Sequence, residues 1–171
     1  ESPAILEVRA RVLLGLAAAG FEVSGRFDEA VALLNEARRL AADAGAEHLT
    51  VPIEGQRALL LLRRGDFRSA LAVFDRAGEG LAAAAPYDRM TLLLNRGSLH
   101  LERGGLSAAM RDLEECGVLA EEHQVVTLAW KAQHNLGWAE FLAGRIPRAI
   151  ATLERAESRN PGDPHPIGML D

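Results

Sequence analysis

One cysteine, one lysine and few aromatic side chains are found in this chain of 171 residues, and each shortage excludes something. Cys116 stands alone, so no intramolecular disulfide can form, and a reducing cytoplasm is the expected compartment. Lys131 is the only lysine, the arginines are scattered among acids, and the formal net charge is -5. A phosphate backbone would find no basic patch here, so nucleic acid is not an expected partner. The longest apolar run, Val12 to Phe21, contains Gly15 and Gly20. It falls well short of the ~20 residues a bilayer span requires, and no membrane partner is expected. Aromatics make up only 5% of the chain, and β-branched residues are sparse beside alanine, leucine, arginine and glutamate. No stretch alternates at period two for long enough to make a strand, so the composition points to helix.

The residue patterns that carry chemistry are also missing. His48, His100, His123, His134 and His165 never fall as a pair one helical turn apart with an acid between them, so no metal site is expected. Glu114 and Glu115, like Glu121 and Glu122, are neighbours that point to different sides of a helix and read as solvated surface. Gly78, Glu79 and Gly80 lack the further glycine and lysine of a phosphate-binding loop. They fall inside an expected helix, which they should loosen or bend at about 1 kcal/mol per glycine. The expectation is a protein without catalytic residues, cofactor or metal, and not an enzyme.

What the sequence does have is a repeat. Gly25, Phe27 and Ala30 are followed by Gly65, Phe67 and Ala70, then Gly104, Leu106 and Ala109, then Gly144, Ile146 and Ala149. The anchoring alanines Ala30, Ala70, Ala109 and Ala149 lie 40, 39 and 40 residues apart. Four residues after each anchor comes a large apolar residue: Leu34, Phe74, Leu113 and Leu153. Seven after comes a small one: Ala37, Ala77, Cys116 and Ala156. Twelve before comes another small one: Ala18, Ala58, Gly97 and Gly137. Offsets of four and seven share one helical face, and small residues belong where two helices approach closely. Cys116 fills such a slot and reads as a buried core thiol rather than a nucleophile.

These anchors predict four helix pairs. The first helices should span 3–24, 52–64, 86–103 and 125–143, and the second 27–44, 67–84, 106–123 and 146–160. Pro52, Pro86 and Pro147 suit a first helical turn, and the glycine at each hairpin supplies the positive φ of a tight helix end. Gly45 ends the first pair in the same way, and Asn160, Pro161, Gly162, Asp163 and Pro164 form a stop.

On these residues the chain resembles the tetratricopeptide repeat family along nearly its whole length. The best single match is the last repeat, with Asn135, Leu136, Gly137, Gly144, Ala149, Leu153, Ala156 and Pro161; Asn95, Arg96 and Gly97 are a weaker echo. The family's commonest period is about 34 residues, and the longer spacing here resembles repeats of kinesin light chains and bacterial regulatory proteins. The alanine- and arginine-rich style and the closing residues 165–171 resemble actinobacterial proteins in which such repeats precede a CHAT (caspase-like) protease domain. The resemblance implies an all-α fold, a right-handed α-solenoid of four helix-turn-helix repeats with about eight helices. It would run as one array over 1–171, with repeats at 3–44, 52–84, 86–123 and 125–160 and a tail at 161–171.

In this family the first helices line the inner surface and the second mostly form the outer one. Arg38, Arg39, Arg76, Arg111, Asp112 and Arg155 fall off the core face of the second helices and read as solvated surface. Residues fifteen, eleven and eight before each anchor should line the groove: Gly15, Ala19 and Glu22; Gly55, Leu59 and Leu62; Leu94, Ser98 and Leu101; His134, Trp138 and Phe141. Lys131 and Asn135 sit one turn apart beside the last set. A lysine and asparagine cluster holds a partner's C-terminal carboxylate in some family members, but the other cations are missing here, and Asn135 reads rather as a helix-packing residue. The expected partner-binding groove comprises Leu59, Leu62, Leu94, Ser98, Leu101, Lys131, His134, Asn135, Trp138 and Phe141. An apolar groove of this kind suits an amphipathic helix or a short apolar segment of a protein or peptide partner. Two other readings of Trp138 and Phe141 stay open: packing against a further helix, and a homodimer through the exposed last repeat. The alternative function is a sensory or autoinhibitory arm of a larger signalling protein, such as a CHAT-type protease or a transcription regulator.

Overall fold

The computed structural model describes residues 1–159, with the backbone alone at 22–24. Among the described residues every regular element is helical. The helices are α1 (Pro3–Ser24), α2 (Phe27–Asp43), α3 (Thr50–Arg63), α4 (Phe67–Gly78), α5 (Pro86–Glu102), α6 (Leu106–Glu122), α7 (Val126–Leu142) and α8 (Ile146–Ser158), with short 3₁₀ turns at Glu47–Leu49 and Leu81–Ala83. The expected all-α fold of paired helices is the fold observed. The chain forms two compact units, 1–85 and 86–171. In the first, α1 packs on α2 and α3 on α4, with α2 and α1 also meeting α3; in the second, α5–α6 and α7–α8 pack as hairpins, with α6 and α5 meeting α7.

Most helix ends fall within two residues of expectation, and one does not. The second helix of the second pair was expected to run to Ala84, bent by Gly78 and Gly80. Instead α4 stops at Gly78, and the chain passes through the Leu81–Ala83 turn before Pro86 opens α5. Two glycines so close together weaken the helix enough for it to end rather than bend, and a 3₁₀ turn takes up the slack. The expected stop at 160–164 lies outside the described residues.

Five helix ends share one geometry. Gly45, Gly65, Gly104, Gln124 and Gly144 all have positive φ. The residue after each donates its N–H five residues back: Ala46 to Ala41, Asp66 to Leu61, Gly105 to His100, Val125 to Ala120 and Arg145 to Glu140, all at 2.8–3.0 Å. These are Schellman ends, which satisfy carbonyls the helix would otherwise leave unpaired. The exit of α1 differs. Gly25 donates to Phe21, four residues back, at 2.8 Å, so α1 keeps its pitch to the end.

The repeat offsets report directly on packing. Ala30, Ala70, Ala109 and Ala149 are all buried, as are Ala37, Ala77, Cys116 and Ala156. Leu34, Phe74 and Leu113 are fully buried, and Leu153 half-buried. At the small position of the first helices, Ala58, Gly97 and Gly137 are buried. Ala18 is only half-buried, and Ala17 takes the buried place one residue earlier, in keeping with the different exit of α1. The glycines are there because the hairpin partner leaves no room. A Cβ on Gly97 would lie 2.9 Å from Leu113 Cγ, and one on Gly137 would lie 2.6 Å from Leu153 Cγ. The leucine four past each anchor therefore fills the space that the glycine twelve before it leaves.

Two stability measurements test this geometry. Gly137→Ala should destabilise the protein by about 1–3 kcal/mol through overpacking, although alanine is the better helix former. Gly55→Ala, at a helical glycine whose added Cβ would meet nothing within 4 Å, should stabilise it by about 1 kcal/mol. Denaturant midpoints that move in the same direction for both would contradict the close approach. Gln124 is the one non-glycine with positive φ among the described residues, and Gln124→Gly should raise stability by about 1 kcal/mol, seen as a higher Tm.

Candidate functional site

Helix α7 carries an apolar residue on nearly every side. One face belongs to the core: Leu128, Ala129, Trp130, Ala132 and Ala139 are buried, and Asn135 is buried with them. The Asn135 side-chain N–H donates to Ser98 Oγ at 2.9 Å, and the Ser98 hydroxyl donates to the Leu94 carbonyl at 2.8 Å. This chain ties α7 to α5 through groups that would be costly to bury unpaired. Lys131 and His134 are half-buried, and the His134 ring lies 5.9 Å from that of Trp130.

Further along the stripe of Trp130 and His134, α7 carries Trp138 and Phe141, 45% and 48% exposed, with their rings edge to face at 5.7 Å. Edge to face is a geometry preferred by the aromatic quadrupole. Leu142 on α7 and Ile146 and Ile150 on α8 are also exposed. The same offsets one hairpin earlier are Ser98, Leu101, Glu102, Leu106 and Met110. There Ser98, Leu101 and Met110 are buried and Leu106 half-buried, with α7 packed on α5 and α6. The edge of the last described hairpin is thus the kind of surface that a helix covers in the hairpin before it, and it is more apolar.

Of the ten residues expected to line a groove, Leu62, Leu94, Ser98, Leu101 and Asn135 are buried, while Leu59, Lys131 and His134 are half-buried. Trp138 and Phe141 alone offer broad exposed surface. Gly15 and Ala19 are exposed and Gly55 half-buried, and the side chain of Glu22 lies outside the described residues. Asp112 corrects the expectation of a solvated surface acid. It is buried, because Arg96 grips both its oxygens, at 2.6 and 2.8 Å, across α5 and α6. Such a bidentate pair has the geometry that keeps two charges paired away from water.

Two features had no place in the sequence reading. Ile5, Val8, Val12 and Leu16 form an exposed apolar stripe on α1. Their spacing of three, four and four is itself the signal, hidden because α1 is apolar on its other side as well. Glu140 is fully buried, accepts a hydrogen bond from Thr152 Oγ at 2.8 Å, and has Arg148 Nε 2.9 Å from its other oxygen. Nothing in the spacing of α7 marks this acid as internal.

Residues 119–164 match the tetratricopeptide repeat family model. The match takes in the end of α6 and the whole α7–α8 hairpin, the pair singled out by Gly137, Gly144, Ala149, Leu153 and Ala156. No curated protein matches the chain. Tetratricopeptide repeats generally mediate protein–protein interaction, and the exposed aromatic pair lies within the matched repeat. Among the described residues, no cluster of His, Cys, Asp and Glu is placed to hold a metal ion, and no helix is long and apolar enough to cross a membrane.

The thiol of Cys116 lies 3.3 Å from the Met90 carbonyl and is fully buried. Burial disfavours the thiolate, and with Asp112 and Glu115 nearby the thiol is pushed up to about 12. At pH 8 the native protein should therefore resist alkylation by iodoacetamide, and reaction should begin only on unfolding in denaturant. Rapid native-state labelling would contradict the burial of this slot.

Proposed function

We propose that the chain is a non-enzymatic scaffold that binds a peptide or helix of another polypeptide, with Trp138 and Phe141 as its anchors. The observation that carries this reading is the exposed edge-to-face pair at offsets whose counterparts in the preceding hairpin, Ser98 and Leu101, are buried. A few residues carry most of the free energy of typical interfaces, and large aromatic side chains, tryptophan above all, are frequent among them. Leu142, Ile146 and Ile150 extend the surface, so an amphipathic helix with anchors one turn apart is the fitting ligand. Lys131 and His134, on the same side of α7, provide a polar margin for it. The repeat match at 119–164 supports the same assignment.

The double variant Trp138→Ala, Phe141→Ala tests it. Far-UV circular dichroism should show helicity nearly intact, while capture of partners by the intact chain falls about tenfold or more. Global unfolding of the variant would instead make the pair a packing element. Sedimentation of the wild-type chain separates a homodimer through this edge from capture of a different polypeptide.

A further inference from the structure

A second face of α7 forms the floor of a cleft of about 450 Å³ between α6 and α8, lined by Gln133, Leu136, Glu114, Gly117, Thr152 and Arg155 among others. Two ion pairs lie beside it, Arg148 of α8 with Glu114 at 3.4 Å and Arg159, just past the end of α8, with Glu121. Gln133 is only 7% exposed. Its N–H donates to Glu121 at 2.6 Å, while its oxygen is buried without a donor among the described residues.

The corresponding place in the first unit, where α2, α3 and α4 meet, shows what is missing. There Arg57 Nη2 donates to Asn35 Oδ1 at 2.8 Å, and Arg57 Nε lies 3.3 Å from one Glu54 oxygen without a hydrogen bond, the other Glu54 oxygen being buried without a donor among the described residues. Arg38 approaches the same Glu54 at 3.9 Å. By repeat offset, Asn35 becomes Glu114 and Glu54 becomes Gln133, so both acceptor positions still carry acceptors. Arg57 becomes Leu136 and Arg38 becomes Gly117, so both guanidinium groups are lost. What remains is a cleft with a buried acceptor on its floor and the Glu114 carboxylate on its wall, with Arg148 and Arg155 on the α8 side.

We propose that this cleft binds the guanidinium of an arginine side chain presented by a partner polypeptide, in the place that Arg57 occupies in the first unit. The incoming group donates to Gln133 Oε1 and to the Glu114 carboxylate, which Arg148 holds only loosely, while its alkyl stem lies along Leu136 and Gly117. A planar fork of N–H donors suits two acceptors on different helices better than a single ammonium does. Arg155 lines the same space and is the competing internal occupant. The site lies on a different side of α7 from Trp138 and Phe141, so it stands independently of the scaffold reading.

Titration of the ¹⁵N-labelled protein with the capped peptide acetyl-Ala-Ala-Arg-Ala-Ala-amide tests the assignment. The amide signals of Gly117, Gln133 and Leu136 should shift and saturate, and the citrulline peptide, with the same shape but no charge, should bind about tenfold more weakly. Leu136→Arg restores the arginine of the first unit and should abolish the response. Gln133→Ala removes the buried acceptor without adding volume and should weaken binding about tenfold, which keeps the test intact if the arginine variant does not fold. The Trp138→Ala, Phe141→Ala variant should titrate like wild type. No saturating shift at the cleft, equal binding of the citrulline peptide, or an unchanged response in Gln133→Ala would overturn the proposal.

Discussion

The close approach of the two helices in each hairpin is the constraint on which the rest depends. It is set by side-chain size at two matched places, a small residue on the first helix and a branched or aromatic one on the second. In the second unit this reaches its limit: Gly97 and Gly137 cannot gain a single carbon without meeting Leu113 and Leu153. With that distance fixed, the anchoring alanines must be small as well, the thiol of Cys116 must be internal, and the turn between helices must be tight. The left-handed glycines then follow as the only residues that close such a turn without strain. Each hairpin buries one side of its helices and leaves the other side in need of cover.

That need makes α7 the most informative helix in the molecule. It has a core side tied to α5 through Asn135 and Ser98, an aromatic side open to solvent, and a cleft side with a buried acid and a buried amide. Three surfaces with three chemistries on 17 residues explain why no simple amphipathic pattern runs along it. A helix of this kind is held by neighbours on more than one side, and its aromatic side is left open among the described residues.

The fold was legible in the sequence because it is written in residue size and repeated four times. The offsets of four, seven and twelve around Ala30, Ala70, Ala109 and Ala149 locate the buried positions, with Leu153 half-buried and Ala18 displaced by a single residue. The end of α4 is not legible, because a pair of glycines can bend a helix or end it, and the choice is made by what the following residues pack against. The candidate site was less legible. Offsets identify which side of a helix faces which way, yet they do not tell how far a neighbouring helix reaches over it. Leu62, Leu94 and Leu101 have the offsets of groove-lining residues and are buried, and Asp112 falls off the core face by its offset, yet Arg96 draws it inward. The reverse error, missing Glu140, has the same source: a charged residue goes inside only when a specific partner such as Thr152 or Arg148 waits there, and partners are not visible in a one-dimensional pattern.

The short connections between helices carry a kinetic meaning too. Within each unit the main interhelical contacts join elements that are adjacent in the chain, α1 with α2, α3 with α4, α5 with α6, α6 with α7 and α7 with α8. Little entropy of loop closure stands between the unfolded chain and its first native contacts, and chains of such local topology fold in microseconds to milliseconds. Any hairpin can serve as a starting point, and its neighbour then grows on it like a zipper closing tooth by tooth. Damage to one hairpin should be felt mainly by the one beside it.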